Sequence, residues 1–313
     1  NAGGTTERVE GVHGRARCGT GDVAEYLQVS FEARPAALAL ADVGMQANAC
    51  FYLVDALSLA TRLPEALPLA EDGLARFARH IPSAEWVTGL NPYSLFAFWR
   101  GTCLTWMGRL SEGLEDLIRT RRRVEEDGTP EGAGYALFVA AEAYYHSHDA
   151  DRALASARQL EEISRRLGEP PVLAAFAQIS FGHAHLAAGR AADAIEPARA
   201  ALGMFGHVEK ETAGMAAALL AEALLQAGDL SAAQSAAAEA IALCRRSLRG
   251  MYEAVAYGVL ARALLRRNGP AARDAAEAAL ASAAELIERT GAKTLAPALC
   301  EWRAELAAVL GDD

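Results

Sequence analysis

Turn signals and small residues recur about every forty positions along most of this chain, and that recurrence limits its fold more than any other feature. The segments LATRLPEAL (59–67), WMGRLSEGL (106–114), SHDADRALA (147–155), AAGRAADAI (187–195) and QAGDLSAAQ (226–234) each end one helical pattern and begin another within about three residues. The turn position holds Thr61, Gly108, His148, Gly189, Gly228 and, more loosely, Asn268, at steps of 47, 40, 41, 39 and 40. Gly and Asn enter the left-handed conformation at a helix C-terminus with least strain. Pro64, Ser111, Asp151 and Ser231 then supply suitable first-turn residues for the next helix.

Small residues mark where paired helices cross. Five positions after the turn stand Ala66, Gly113, Ala153, Ala194 and Ala233, with Arg273 the exception; seven positions before it stand Gly101, Ala141, Gly182, Ala221 and Ala261, with Val54 the exception. Six helix pairs are predicted. Their first helices fall near 45–60, 92–107, 132–147, 171–188, 209–227 and 250–267, and their partners near 64–80, 111–126, 151–167, 191–206, 231–247 and 270–290. A last helix over 294–310 carries Leu295, Leu299, Trp302, Leu306 and Leu310 as one apolar stripe, with Glu301, Arg303 and Glu305 expected to face water. Residues 22–41 read as a helix bent by Pro35, and residues 1–21 are Gly-rich and irregular.

The small-residue pattern and the Gly-Arg or Gly-Asp turns resemble tetratricopeptide repeats, with a spacing longer than the standard 34 residues. The fold class implied is all-α, a tetratricopeptide-like α-solenoid. Segments 91–117 (NPYSLFAFWRGTCLTWMGRLSEGLEDL) and 286–312 (LIERTGAKTLAPALCEWRAELAAVLGD) resemble the C-terminal array that follows the ATPase module in bacterial class III adenylate/guanylate cyclase-like proteins. Regulators of the LuxR and MalT type carry similar arrays. The expected organisation is an N-terminal helical segment over 1–44, the repeat array over 45–290 and a C-terminal capping helix over 291–313. The chain begins with Asn1 and reads as a piece of a longer protein, with cyclase and ATPase parts outside it.

Charge and composition exclude several functions. A net charge of −10 repels a phosphate backbone, so nucleic acid is not an expected direct partner. No charge-free run of about 18 apolar residues is present, so no membrane span is predicted. Cys18, Cys50, Cys103, Cys244 and Cys300 are odd in number and widely spaced, which suggests free thiols in a reducing, cytoplasmic setting. His146/His148 and His183/His185 stand two apart, on different helix faces, and neither pair suits a metal. Gly19-Thr20-Gly21 lacks the rest of a phosphate loop. Arg119, Arg121, Arg122 and Arg123, like Arg245, Arg246 and Arg249, read as cations complementing helix C-termini. An enzyme would place perturbed titratable groups together in one cleft; none is expected, and no cofactor or metal is implied.

The resemblance assigns the first helix of each pair to the concave face. Six residues before the turn stand Asp55, Thr102, Glu142, His183, Glu222 and Arg262, all polar. Ten before it stand Phe51, Phe98, Phe138, Ile179, Ala218 and Gly258, running from aromatic to small. With Trp106 and Tyr145 one turn further on, this describes a groove with an aromatic N-terminal half and a polar rail. The bland alternative is a wetted polar row and aromatics that fill gaps between repeats. The expected function is non-catalytic: a regulatory module of a larger bacterial signalling protein that binds a protein or peptide, or another domain of its own chain. The alternative is a sensor for a small molecule or signalling peptide, which an enclosed pocket would favour.

Overall fold

The computed structural model describes residues 22–77, 90–205 and 212–311, and every regular element among them is helical. Helix α1 (Val23–Leu38) runs through Pro35. Six pairs follow: α2 (Val43–Leu59) with α3 (Leu63–Arg76), α4 (Pro92–Trp106) with α5 (Leu110–Glu126), and α6 (Pro130–His146) with α7 (Ala150–Arg166). Next come α8 (Pro171–Ala187) with α9 (Ala191–Phe205), α10 (Ala213–Ala227) with α11 (Leu230–Arg246), and α12 (Gly250–Asn268) with α13 (Arg273–Thr290), before the closing helix α14 (Ala296–Leu310). Residues 1–21, with Cys18 and Gly19-Thr20-Gly21, lie outside the described residues, as do 78–80, 206 and 209–211 at three expected helix ends.

Local chemistry sets the helix ends. Asp42, Asp149 and Asp229 each accept a backbone N–H from the residue three positions on. Pro64, Pro92, Pro130 and Pro171 occupy first turns, where a missing N–H costs no helix bond. Five of the expected turn residues, Thr61, Gly108, His148, Gly189 and Gly228, have φ between 51° and 88°. At each, the next amide reaches back five residues: Arg62 to Leu57, Arg109 to Leu104, Asp149 to Tyr144, Arg190 to His185 and Asp229 to Leu224, at 2.8–3.0 Å. This closure satisfies carbonyls that the helix end leaves open.

The sixth turn differs from expectation. Asn268 still belongs to α12, Gly269 takes the positive φ, and a 3-10 turn over Gly269–Ala272 delays α13. The register slips by three, so exposed Arg273 misses the crossing position and buried Ala276 occupies the interface side.

Close crossing is clearest in the second pair. A Cβ at Gly113 would lie 2.8 Å from the Gly101 carbonyl oxygen, and one at Gly101 would lie 3.1 Å from the Gly113 carbonyl oxygen. Backbone meets backbone there. Gly113→Ala is expected to cost about 2 kcal/mol, because helix α5 must move away from α4. Exposed Gly203, with open space around it, is the control: Gly203→Ala should gain up to about 1 kcal/mol in helix propensity. Urea denaturation of the two variants checks the opposite signs.

The two ends of the array meet. The Thr61 hydroxyl accepts the Gly250 N–H at 2.9 Å and donates to the Leu248 carbonyl at 3.3 Å, joining the first pair to the start of the sixth. A Cβ on Gly291 would touch Pro64, and Gly108 approaches Lys293 and Thr294. The solenoid therefore completes a superhelical turn, and its concave side becomes an interior.

Helix α14 closes the last pair. Leu295, Leu299 and Trp302 are buried, and the Trp302 ring fills the space a Cβ on Gly258 would need. This explains why the row that starts with Phe51 ends in Gly: the ring comes from α14. Glu301 and Arg303 are exposed, but Glu305 is not a solvated residue, since it pairs with Arg262 and Arg266 at 2.7 and 2.6 Å. Cys50, Cys103 and Cys244 are buried free thiols and Cys300 is exposed. No helix among the described residues is long and apolar enough to cross a membrane.

Candidate functional site

The polar row points inward, and Asp55, Glu142, Glu222 and Arg262 are bonded to other elements instead of forming a wet rail. Asp55 accepts the Tyr26 hydroxyl at 2.7 Å and the Trp99 indole N–H at 3.0 Å. Thr102 donates to the Phe98 carbonyl. Glu142 accepts the Trp106 indole N–H at 2.9 Å and the Tyr252 hydroxyl at 3.1 Å, and so joins α4, α6 and α12. Glu222 accepts the Tyr145 hydroxyl at 2.7 Å, His183 stacks on the Tyr145 ring at 5.1 Å, and Arg262 holds Glu305. The groove expected from these residues takes the form of an inner cavity, and superhelical closure brings Tyr252 onto Glu142 and Tyr145 against Glu222 across repeats.

Two chambers result. The larger, a cavity of about 210 Å³, is lined by the expected residues Phe51, Asp55, Phe98, Thr102, Trp106 and Phe138. Trp99, Tyr135, Phe176 and Tyr252 complete its aromatic walls. The rings of Phe138 and Phe176 stack at 4.3 Å, and Trp106 meets Tyr252 edge-on at 6.3 Å. Thr120, Met215 and Arg249 close it from other elements. The smaller chamber, about 30 Å³, gathers Glu142, Tyr145, His183 and Glu222. Arg262 lines neither.

The row that sequence reading missed lies thirteen residues before the turn: Leu95, Tyr135, Phe176 and Met215 stand one helical turn before the Phe98 row and line the same cavity. The signal was present as that third stripe. Arg249, by contrast, needed coordinates. It does not cap the end of α11; it precedes α12 and is buried in the cavity wall. Arg119, Arg121 and Arg123 pair with acids on or beside their own helix.

Titratable groups do cluster at the small chamber, against expectation. Burial pushes the Glu142 carboxyl up to about 7, opposed by its bonds to Trp106 and Tyr252 and by the nearby Arg249 charge. Burial also raises Glu222, Tyr145 and Tyr252, and holds His146 down at about 4 and His183 at about 3. The chamber has room for about one water molecule, so these shifts register desolvation within a bonded network. Among the described residues no group of three His, Cys, Asp or Glu is placed to hold a metal ion.

Stacked helix pairs, left-handed turns and a lined inner face define this chain as a tetratricopeptide-like α-solenoid. Its fold is similar to that of a Rap protein complexed with competence and sporulation factor, with a TM-score of 0.57, 12% identity, and 90% of this chain and 81% of that one covered. It is also similar to NprR in complex with its cognate peptide NprX (TM-score 0.54, 10% identity, 90% and 76% covered). A tetratricopeptide repeat protein from Parabacteroides merdae matches with a TM-score of 0.50 at 11% identity over 93% of this chain and 99% of that one. No protein-family model and no curated protein matches the sequence.

Proposed function

We propose that this chain is a non-catalytic regulatory binding module whose inner cavity senses a ligand. The observation that carries this reading is the aromatic cavity walled by both halves of the array: Phe51 and Phe98 come from early pairs, and Met215 and Tyr252 from late ones. A ligand touching both halves stabilises the closed turn over a looser one, by its differential affinity for the two. The bond from Gly250 to Thr61 lies at that closure. NprR, of similar fold, is found with a peptide, which supports a binding role. The buried, bonded state of Glu142 disfavours a peptide laid along an open rail.

In this reading residues 45–290 form the sensing array, 291–313 its cap, and 1–44 the segment that leads in. The parent is a cytoplasmic bacterial signalling protein, cyclase-like by the resemblance of 91–117 and 286–312, whose output domain responds to closure. A parent of the LuxR or MalT type would use the same device.

Leu95 is half-buried in the cavity wall, so Leu95→Trp plugs the cavity from its rim. A fragment set screened by saturation-transfer NMR should give hits on the wild type that vanish in Leu95→Trp. Binding should also slow hydrogen exchange of the Gly250 amide several-fold. Hits insensitive to the plug, or exchange at Gly250 unaffected by a bound fragment, would refute the reading.

A further inference from the structure

We propose that the inner cavity takes one uncharged, planar aromatic ring carrying a single hydrogen-bonding group, with Thr120 as its polar contact. This rests on the sensing reading above and gives its ligand a chemistry.

Size comes first. About 210 Å³ exceeds the roughly 150 Å³ apolar cavity that holds benzene, and falls below the few hundred Å³ of drug-sized sites. One ring, or two fused rings, fits. Shape follows from the walls, where Phe98, Trp99, Tyr135, Phe138 and Phe176 present flat faces and edges to the lumen. Their mutual spacings of 4.3–6.4 Å are those at which aromatic rings attract each other, and a flat guest extends the same packing.

Charge narrows the class. Each Asp55 oxygen already accepts a bond, Glu131 accepts the Tyr135 hydroxyl, and the Arg249 charge acts on Glu142. Carboxylates already engaged by neutral donors, and an arginine set against Glu142, leave no vacant counterion for a guest that must shed its water, so a neutral guest is favoured over either ion.

Thr120 supplies the direction. It is 3% exposed, lines the cavity, and its hydroxyl has no hydrogen-bond partner among the described residues. Other hydroxyls in the wall are engaged: Ser94 with Asp127 and Thr102 with the Phe98 carbonyl. A buried unpaired hydroxyl is unfavourable, and a guest with one matching group relieves it.

Calorimetric titration of the whole chain with p-cresol, toluene, phenylacetate and benzyltrimethylammonium tests the proposal. p-Cresol should bind about tenfold tighter than toluene, and both ions at least tenfold weaker than p-cresol. Thr120→Val, which keeps the shape, should erase the preference for p-cresol without changing toluene; Thr120→Ser should restore it. An ion that outbinds p-cresol, or a preference that survives Thr120→Val, overturns the ligand class. If that ion is lost in Leu95→Trp, the sensing reading still stands. If no probe binds, or none is lost on plugging, both fall. N-acetyltyrosinamide then separates the sources: affinity matching p-cresol assigns a peptide side chain, and exclusion assigns a free small molecule, either result supporting the ring class.

Discussion

At about pH 5, Glu142→Leu is expected to lose about 4 kcal/mol of stability, whereas Glu142→Gln should lose less than about 1 kcal/mol. Leucine fills much of the same volume but strands two buried donors, the Trp106 indole N–H and the Tyr252 hydroxyl. Each stranded donor costs about 1–3 kcal/mol, since the leucine side chain offers no acceptor in place of the carboxyl. Glutamine keeps both contacts: its carbonyl accepts from Trp106, and its amide N–H donates to a Tyr252 hydroxyl turned to accept. Urea denaturation followed by helical circular dichroism checks the pair. Because Glu142 links the second, third and sixth helix pairs, the Leu variant should also speed exchange of the Gly250 amide at the closure. Equal stability of the two variants would show that the carboxyl does not hold the turn together.

The same residue predicts a pH effect of similar size. A carboxyl raised from 4.5 to about 7 holds its proton more tightly in the folded chain than in the unfolded one. Its stabilising contribution is complete below about pH 4.5 and is lost as pH rises through about 7, a change of about 3 kcal/mol. Glu142→Gln cannot titrate. Its stability relative to wild type should therefore shift by about 3 kcal/mol in its favour between about pH 4.5 and pH 8. His146 and His183 act in the opposite sense. Held neutral by burial, with His183 at about 3 and His146 at about 4, they stabilise the fold above about pH 6.5 and withdraw that contribution as pH falls. His183→Phe, which keeps the stack on Tyr145, should accordingly gain on wild type in acid. Melting temperatures of the three proteins from about pH 4 to pH 9 give both differences, and a Gln-minus-wild-type difference that stays flat would place the Glu142 titration elsewhere.

Much of the fold was legible because its causes are local. Thr61 and His148 read as turn residues without being Gly, since the pattern around them matches that of Gly108, Gly189 and Gly228; all five take positive φ. Gly101 and Gly113 were assigned to a helix crossing, and their backbones do touch. At the sixth turn the positive φ falls on Gly269 instead of Asn268, because Gly269-Pro270 opens a 3-10 turn there. At the inner face, Phe51, Phe98 and Phe138 were assigned to one stripe, and the cavity contains all three.

Sequence alone determined the helices, their pairing and which side chains face inward, because these depend on backbone dihedrals and on residues three or four positions apart. Only tertiary structure decided that the inner face closes on itself. The closure sums a small rotation from every pair, and its agents, Thr61 against Gly250 and Glu142 against Tyr252, are 189 and 110 residues apart. No spacing in the chain announces such partners, since each rotation is set by how neighbouring side chains interlock. That sum buries and bonds most of the polar row and makes the aromatic stripe a cavity wall.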